Sequence, residues 1–155
     1  MTSRLLFDTE GEVMVMYRLF QLQEDAEALA VEIERDDDDI ATGGEGGVLF
    51  WSAVNDHYPR VRIELWSGEP PPQQEDGDVT RDETTFTVSE TGRLDLMALD
   101  RAPSDASRIT LPRLGAYRLR AYVRGRAQAR ERGAAEFFHD VERWLLQIWP
   151  RDPAI

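Results

Sequence analysis

The chain has 155 residues, a net charge of −12 at pH 7 and no cysteine. This length suits one domain with its own core, so we expect a single domain over residues 1–155. The missing cysteines exclude disulfides, thiolate zinc sites and cysteine nucleophiles. Apolar residues make up 41% of the chain, which excludes a disordered protein. Apolar runs are short and the N-terminus turns acidic at Asp8, so we expect a cytoplasmic protein without a membrane span or signal peptide.

The charge is distributed unevenly along the chain. Residues 1–90 hold 22 acidic residues and 6 arginines, whereas residues 91–155 hold 8 acidic residues and 12 arginines. An acidic half of this size repels nucleic-acid phosphates and attracts basic proteins. The alternative interpretation is that acidic residues only keep the surface soluble.

Alternation of apolar and polar residues with a period of two predicts β-strands along most of the chain. The predicted strands are residues 13–23, 48–53, 60–66, 84–89, 93–99, 107–111, 116–124 and 142–149. Residues 24–34 fit either a strand or a helix. Residues 127–138 predict one short helix, with a flexible segment broken at Gly133 as the alternative. The acidic, polar and glycine-containing segments 36–47 and 73–82 predict exposed, mobile loops.

About eight strands with closely spaced turns predict an all-β fold, namely an antiparallel, jelly-roll-like β-sandwich with one short helix near the C-terminus. Residues 48–53 and 60–66 are predicted to form a strand pair. The turn at residues 90–92 is predicted to join the strands on either side of it.

The sequence offers little catalytic chemistry. A triad of Ser52, His57 and a carboxylate is conceivable, but no nucleophile elbow surrounds any serine. We therefore predict no catalytic residue, and a turn or surface position for His57. The four aspartates at 36–39 could ligate calcium, but Ala41 and Gly47 stand where an EF-hand needs glycine and glutamate. We predict no metal and no cofactor.

One predicted strand carries a basic stripe. Its members alternate along the strand: Arg118, Arg120, Tyr122, Arg124 and Arg126. Interleaved arginine and tyrosine can bind single-stranded nucleic acid. The alternative is pairing across strands with Glu64, Asp95 or Glu142. We favour pairing, and predict no nucleic-acid partner, because the rest of the chain is strongly acidic.

Four tryptophans lie in predicted strands: Trp51, Trp66, Trp144 and Trp149. Exposed tryptophans can form a platform for sugar rings, whereas strand tryptophans are more often part of the core. Binding of a carbohydrate or another small ligand therefore stays open as an alternative function. A second alternative function is that of a hydrolase with two carboxylates on opposite sides of a cleft.

Residues 47–52, 60–66, 115–126 and 146–150 resemble a set of uncharacterised actinobacterial proteins. More distantly, the order of the strand with Tyr17-Arg18-Leu19-Phe20, a central strand pair and the segment 112–119 resembles the competence protein J group of acidic nuclease inhibitors. That resemblance implies a β-sandwich that neutralises a basic nuclease and has no active site. It transfers no inhibitory residue, because no motif of the group matches the acidic loops.

We therefore hypothesise a non-enzymatic module that binds a basic protein, such as a toxin or nuclease, as its inhibitor or immunity factor. Carboxylates in two loops can mimic phosphates and enter a cationic groove. The predicted partner-binding residues are Asp36, Asp37, Asp38, Asp39, Glu75, Asp76 and Asp78.

Overall fold

A computed structural model of the chain describes residues 2–25, 38–132 and 137–152. Within these ranges the strands are β1 (Leu5–Glu12), β2 (Leu19–Glu24), β3 (Ala41–Gly44), β4 (Gly47–Trp51), β5 (Tyr58–Trp66), β6 (Val79–Val88), β7 (Arg93–Ala98), β8 (Ile109–Thr110), β9 (Gly115–Arg124) and β10 (His139–Pro150). One helix, α1 (Arg126–Arg132), precedes β10. The predictions of a β protein and of a short helix near the C-terminus are confirmed. The described ranges hold ten strands, not the predicted eight, and no helix long and apolar enough to span a membrane.

The strands form two sheets of five. Sheet A has the order β1-β5-β10-β9-β6, and sheet B has the order β3-β4-β2-β7-β8. The prediction of a wholly antiparallel arrangement is wrong, because β5 and β10 run parallel inside sheet A. A parallel pair needs a long crossover connection. Four strands and α1 lie between β5 and β10 in the chain, so this connection is available.

One predicted strand pair is also wrong. Residues 48–53 and 60–66 do not pair, since β4 belongs to sheet B and β5 to sheet A. The turn at residues 90–92 joins β6 and β7 as predicted, and it carries the chain from sheet A to sheet B. Alternation indicates which face of a strand is buried, but many strands with the same pattern can serve as its partner.

One hydrophobic core contains residues of both sheets. β5 shows the simplest pattern, since Val61, Ile63 and Leu65 are buried and the residues between them are half-buried. From sheet B, Phe20 and Phe50 stack at 5.0 Å, and Trp144 of sheet A packs edge-on against both rings. β2 and β4 are buried at every position, so both faces of these two strands are covered.

The edge strands β3 and β6 connect the two sheets on one side. The Gly43 N–H donates to Thr84 Oγ1 at 2.9 Å, and the Gly46 N–H donates to the carbonyl oxygen of Thr87 at 2.8 Å. A Cβ atom on Gly43 would lie only 2.2 Å from the carbonyl oxygen of Thr85, so only glycine permits this approach. The prediction of a loop over residues 36–47 is therefore wrong for β3. Gly43 is needed there because the backbone of β6 lies so close, and not because the segment is a loop.

On the other side, the chain between β7 and β8 covers β1, a strand that alternation did not predict. The Glu12 N–H donates to Asp105 Oδ1 at 2.7 Å, and the Ser107 N–H donates to Thr9 Oγ1 at 2.8 Å. A Cβ atom on Gly11 would lie 2.4 Å from the backbone nitrogen of Ala106. The edge strand β1 of sheet A is thus connected by hydrogen bonds to the chain that leads into β8 of sheet B.

The connection between β5 and β6 crosses the outer face of sheet A. We call residues 69–76 of this connection the strap. Arg120 Nη1 donates to the carbonyl oxygen of Pro70 at 3.2 Å, and the Gln73 N–H donates to the Tyr122 hydroxyl at 3.0 Å. The prediction of a loop over residues 73–82 is wrong at its end, since β6 begins at Val79 and pairs there with Arg124 of β9.

Candidate functional site

The contact between β3 and β6 brings the two predicted acidic segments together. Asp82 Oδ2 accepts hydrogen bonds from the N–H groups of Ile40 at 3.1 Å and Ala41 at 3.2 Å. Its other oxygen accepts from the Glu83 N–H at 2.9 Å. Asp82 therefore holds the chain that follows Asp38 and Asp39 against the start of β6. Asp82 was not among the predicted site residues, and only the contact between two edge strands identifies its role.

The predicted partner-binding residues differ in their exposure, and two of them lie outside the described residues. Asp38, Glu75, Asp76 and Asp78 are exposed and Asp39 is half-buried. The carboxylate of Asp78 accepts from the Ala127 N–H at 3.0 Å, so this side chain supports the start of α1. The remaining two, at positions 36 and 37, lie outside the described residues.

Glu75 also lies beside Asp82, because both line one open depression together with Arg81 and Glu83. We call the surface formed by Asp38, Asp39, Glu75 and Asp76 the acidic edge. It lies along the β3–β6 contact and the end of the strap. Its members come from two segments more than thirty positions apart in the chain.

A buried arginine holds the strap beside the acidic edge. Arg120 is only 2% exposed, and its guanidinium donates to Glu83 Oε1 at 2.8 Å and to Glu69 Oε2 at 2.9 Å. The same group lies 5.0 Å above the ring of Trp149. Burial raises the pKa of Glu83, but the hydrogen bond and charge of Arg120 outweigh burial and leave this pKa below its ordinary value. Glu83 therefore stays ionised, and its charge is compensated.

Arginines of the basic stripe do pair with carboxylates, but their partners differ from the predicted ones. Arg120 pairs with Glu69 and Glu83, and Arg124 lies 3.8 Å from the carboxylate of Asp76. Glu64, Asp95 and Glu142 have other partners. The strap supplies acidic groups that alternation within strands could not predict. Arg120, Tyr122 and Arg126 are also buried, which leaves no continuous row of exposed groups for single-stranded nucleic acid.

The tryptophans do not form a sugar platform in the structure. Trp51, Trp144 and Trp149 are at most 6% exposed. The half-buried Trp66 donates its indole N–H to Glu64 Oε1 at 2.9 Å. A sugar platform requires an exposed ring face. Trp51, Trp144 and Trp149 have none, so they fit the interpretation as core residues.

Ser52, His57 and Glu142 do come together, but in the wrong order for a hydrolytic triad. His57 Nε2 lies 2.6 Å from Ser52 Oγ, and the Ser52 hydroxyl donates to Glu142 Oε2 at 3.0 Å. In a triad the carboxylate orients the histidine through Nδ1, whereas Nδ1 of His57 has no hydrogen-bond partner among the described residues. All three residues are completely buried. The prediction of a surface position for His57 is therefore wrong, although it does lie in the connection between β4 and β5.

Glu142 is the centre of this buried network. Its two oxygens accept from the Ser52 hydroxyl, from the Ala53 N–H at 2.8 Å and from the Trp144 indole N–H at 2.7 Å. Because the Ser52 hydroxyl donates to Glu142, it accepts the proton of His57 Nε2, which assigns the neutral Nε2–H tautomer. The network connects β10 of sheet A to the end of β4 of sheet B.

We expect the free energy of unfolding to fall as the pH is lowered below 6.5, the ordinary pKa of histidine. Burial lowers the pKa of His57, and the charge of Glu142 opposes this without cancelling it. As the pH falls, His57 therefore binds its proton in the unfolded chain first. The free energy of unfolding decreases from pH 6.5 down to the lower pKa that His57 has in the folded protein. The slope for one proton is at most about 1.4 kcal/mol per pH unit.

Urea unfolding at several pH values measures this slope in the native chain, in His57→Gln and in the control His139→Gln. The first variant should lose the slope between pH 6.5 and pH 4.5, while the control, which changes an exposed side chain, should keep it. An unchanged slope in His57→Gln would contradict the assignment.

The described residues define a two-sheet β protein with an acidic edge and a strap across sheet A. No family model and no curated protein sequence matches the chain. Its fold is similar to that of ComJ from Bacillus subtilis, an inhibitor of the DNA degrading activity of NucA, with 12% identity and a TM-score of 0.62 over 97% of this chain and 99% of ComJ. It is also similar to the product of crocagin biosynthetic gene J, with 14% identity and a TM-score of 0.55 over 98% and 100% of the two chains. The resemblance to the competence protein J group is confirmed at the level of the fold.

Proposed function

We propose that this protein is a β-sandwich inhibitor that binds a basic protein, such as a nuclease, through its acidic edge and has no catalytic activity of its own. The observation that carries the proposal is the convergence of two acidic segments at the β3–β6 contact, within a fold similar over nearly its whole length to that of a nuclease inhibitor. The similarity to ComJ supports the class of partner and leaves the individual nuclease open.

Electrostatics explains why an acidic edge suits such a partner. A nuclease binds DNA phosphates in a cationic groove, and clustered carboxylates present the same charge to that groove. Asp38 and Asp39 come from the chain before β3, whereas Glu75 and Asp76 come from the end of the strap. The predicted contribution of Asp36 and Asp37 is part of the same proposal, because they directly precede Asp38 in the chain.

Inhibition of DNA degradation tests the proposal. The basic nucleases of the source organism are expressed one by one, and each is assayed with and without the purified protein. We expect one nuclease to be inhibited, with an affinity that falls as salt rises. Changing Asp38, Asp39 and Asp76 to asparagine and Glu75 to glutamine should raise the inhibition constant at least about tenfold, which corresponds to about 1.4 kcal/mol.

A matched control removes four charges elsewhere. The changes Glu90→Gln, Asp100→Asn, Glu131→Gln and Asp152→Asn alter exposed residues outside the acidic edge. This variant has the same net charge as the acidic-edge variant, so it should inhibit nearly as well as the native protein. Equal weakening in both variants would assign the effect to net charge alone, and the absence of inhibition of every nuclease would refute the proposed function.

A further inference from the structure

The outer face of sheet A carries three arginines side by side on neighbouring strands. In the strand register Arg143 of β10 is the partner of Arg60 on β5 and also of Arg124 on β9. Registered residues point to the same face, and neighbouring strands lie only about 4.8 Å apart. Like charges directly opposite one another destabilise a sheet. Such a row is therefore costly unless groups of opposite charge compensate it.

The compensation is incomplete at Arg124 and Arg143. Arg124 donates to the carbonyl oxygens of Gln74 and Asp76, both at 3.0 Å, and its one charged partner, the exposed Asp76 carboxylate, lies 3.8 Å away. Arg143 pairs through one terminal nitrogen with Asp140, in an exposed i,i+3 contact. No carboxylate among the described residues is shared by the two guanidinium groups. The space between them is suited to an anion.

A groove of about 300 Å³ lies at this position. Arg62, Arg124 and Arg143 line it together with Tyr122, Leu145 and Gln73 of the strap. The three arginine side chains are 39–66% exposed, whereas Tyr122 is buried. The groove thus combines charged groups near solvent with an aromatic and an aliphatic side chain beneath them.

The single carboxylate that lines the groove, that of Glu64, is already occupied. Its Oε2 accepts from Arg62 Nε at 3.1 Å. Its Oε1 accepts from the indole N–H of Trp66 at 2.9 Å and from Gln147 Nε2 at 3.2 Å. Three arginines therefore face one glutamate whose oxygens are held by donors of the sheet itself. The lining thus carries three arginines and one carboxylate, while the other ion-pair partners of these arginines, Asp8, Asp76 and Asp140, lie outside the lining.

We propose that this groove binds the carboxylate or phosphate group of a small organic anion between Arg124 and Arg143. Guanidinium groups present forked N–H donors that match both oxyanions. Tyr122 and Leu145 contact the apolar part of the ligand, and the volume lies at the lower limit for small-molecule pockets. An anion at this position also relieves the repulsion between the two arginines. This site lies on the outer face of sheet A, and none of the four residues of the acidic edge lines it, although Asp76 contacts Arg124.

Titration followed by NMR chemical shifts tests the proposal with four probes: phenyl phosphate, benzoate, inorganic phosphate and the neutral benzyl alcohol. The variants are Arg143→Gln, Arg124→Gln and the control Arg118→Gln, which changes an exposed arginine on the same face of β9 outside the groove. We expect saturable shifts in β9 and β10 with at least one aromatic anion, and at least about tenfold weaker binding in the first two variants. Arg143→Gln leaves both strap contacts of Arg124 in place, so its effect does not depend on the strap.

The probes separate the two oxyanions. Tighter binding of phenyl phosphate than of benzoate assigns the site to phosphate esters, and the reverse order assigns it to carboxylates. Weaker binding of inorganic phosphate than of phenyl phosphate supports the contact with Tyr122 and Leu145. The proposal is overturned if no anion saturates the shifts below about 10 mM, if benzyl alcohol binds as tightly, or if Arg118→Gln weakens binding as much as Arg143→Gln. These outcomes are independent of nuclease inhibition.

Discussion

Replacing Glu142 by alanine should lower the free energy of unfolding by about 4 kcal/mol, because it removes the acceptor of a fully buried network. The Ala53 N–H, the Ser52 hydroxyl and the Trp144 indole N–H would each lose their partner at completely or almost completely buried positions. A buried polar group without a partner costs about 1–3 kcal/mol. Urea unfolding of the native and variant chains measures the difference.

Two further variants make this result specific. Glu131→Ala removes an exposed carboxylate from α1 and should change stability by less than about 0.5 kcal/mol. Ser52→Ala leaves Glu142 with two of its three donors, so its cost should be smaller than that of Glu142→Ala. If the loss in Glu142→Ala were no larger than in Glu131→Ala, the network would not support the contact between the sheets.

Replacing Glu24 by glutamine should lower the free energy of unfolding by about 3 kcal/mol, for a different geometric reason. This carboxylate, at the end of β2, is 2% exposed and accepts from the four backbone N–H groups of residues 89–92 at 2.7–3.2 Å. These residues form the turn between β6 and β7, so Glu24 holds the chain where it leaves sheet A for sheet B. A glutamine offers one oxygen and turns an N–H₂ group towards the remaining donors.

The pH dependence of Glu24 provides a second measurement. Burial raises the pKa of Glu24, but the four backbone N–H donors outweigh burial and leave its pKa below the ordinary 4.5. Its contribution is therefore complete above pH 4.5 and is lost as the pH falls through the lower folded pKa. Glu24→Gln should lose this dependence, whereas Glu90→Gln, which changes an exposed side chain in the same turn, should retain both stability and pH profile. A loss of stability in Glu90→Gln equal to that in Glu24→Gln would contradict the assignment.

The acidic residues of this chain thus serve two physical purposes. Glu24 and Glu142 are buried and hold backbone and side-chain donors of the two sheets. Asp38, Glu75 and Asp76 are exposed, and the proposed function assigns them to a partner. Removal of the first kind should destabilise the fold, whereas removal of the second should change association and its salt dependence. The two kinds cannot be distinguished by composition.

The sequence alone determined the β class, the short helix near the C-terminus and most strand positions, because burial of one face requires alternation with a period of two. Residues 60–66 illustrate this, since every second side chain there is buried in β5 as predicted. The sequence also predicted correctly that the acidic segment with Glu75 and Asp76 is exposed. Local pattern suffices for such features, because each depends on a few consecutive residues.

Only the tertiary structure decided which strands pair, which acidic segments meet and which polar residues are buried. One of the two sheet partners of β5 is β10, more than seventy positions later in the chain, and no local pattern records that distance. Glu24, Asp82 and Glu142 look like surface residues in the sequence, yet each accepts hydrogen bonds from a segment at least forty positions away. Their roles depend on backbone N–H groups that become available only after the sheets have formed. A carboxylate that binds the protein's own backbone and one that remains free for a partner are chemically identical until the fold places donors around one of them.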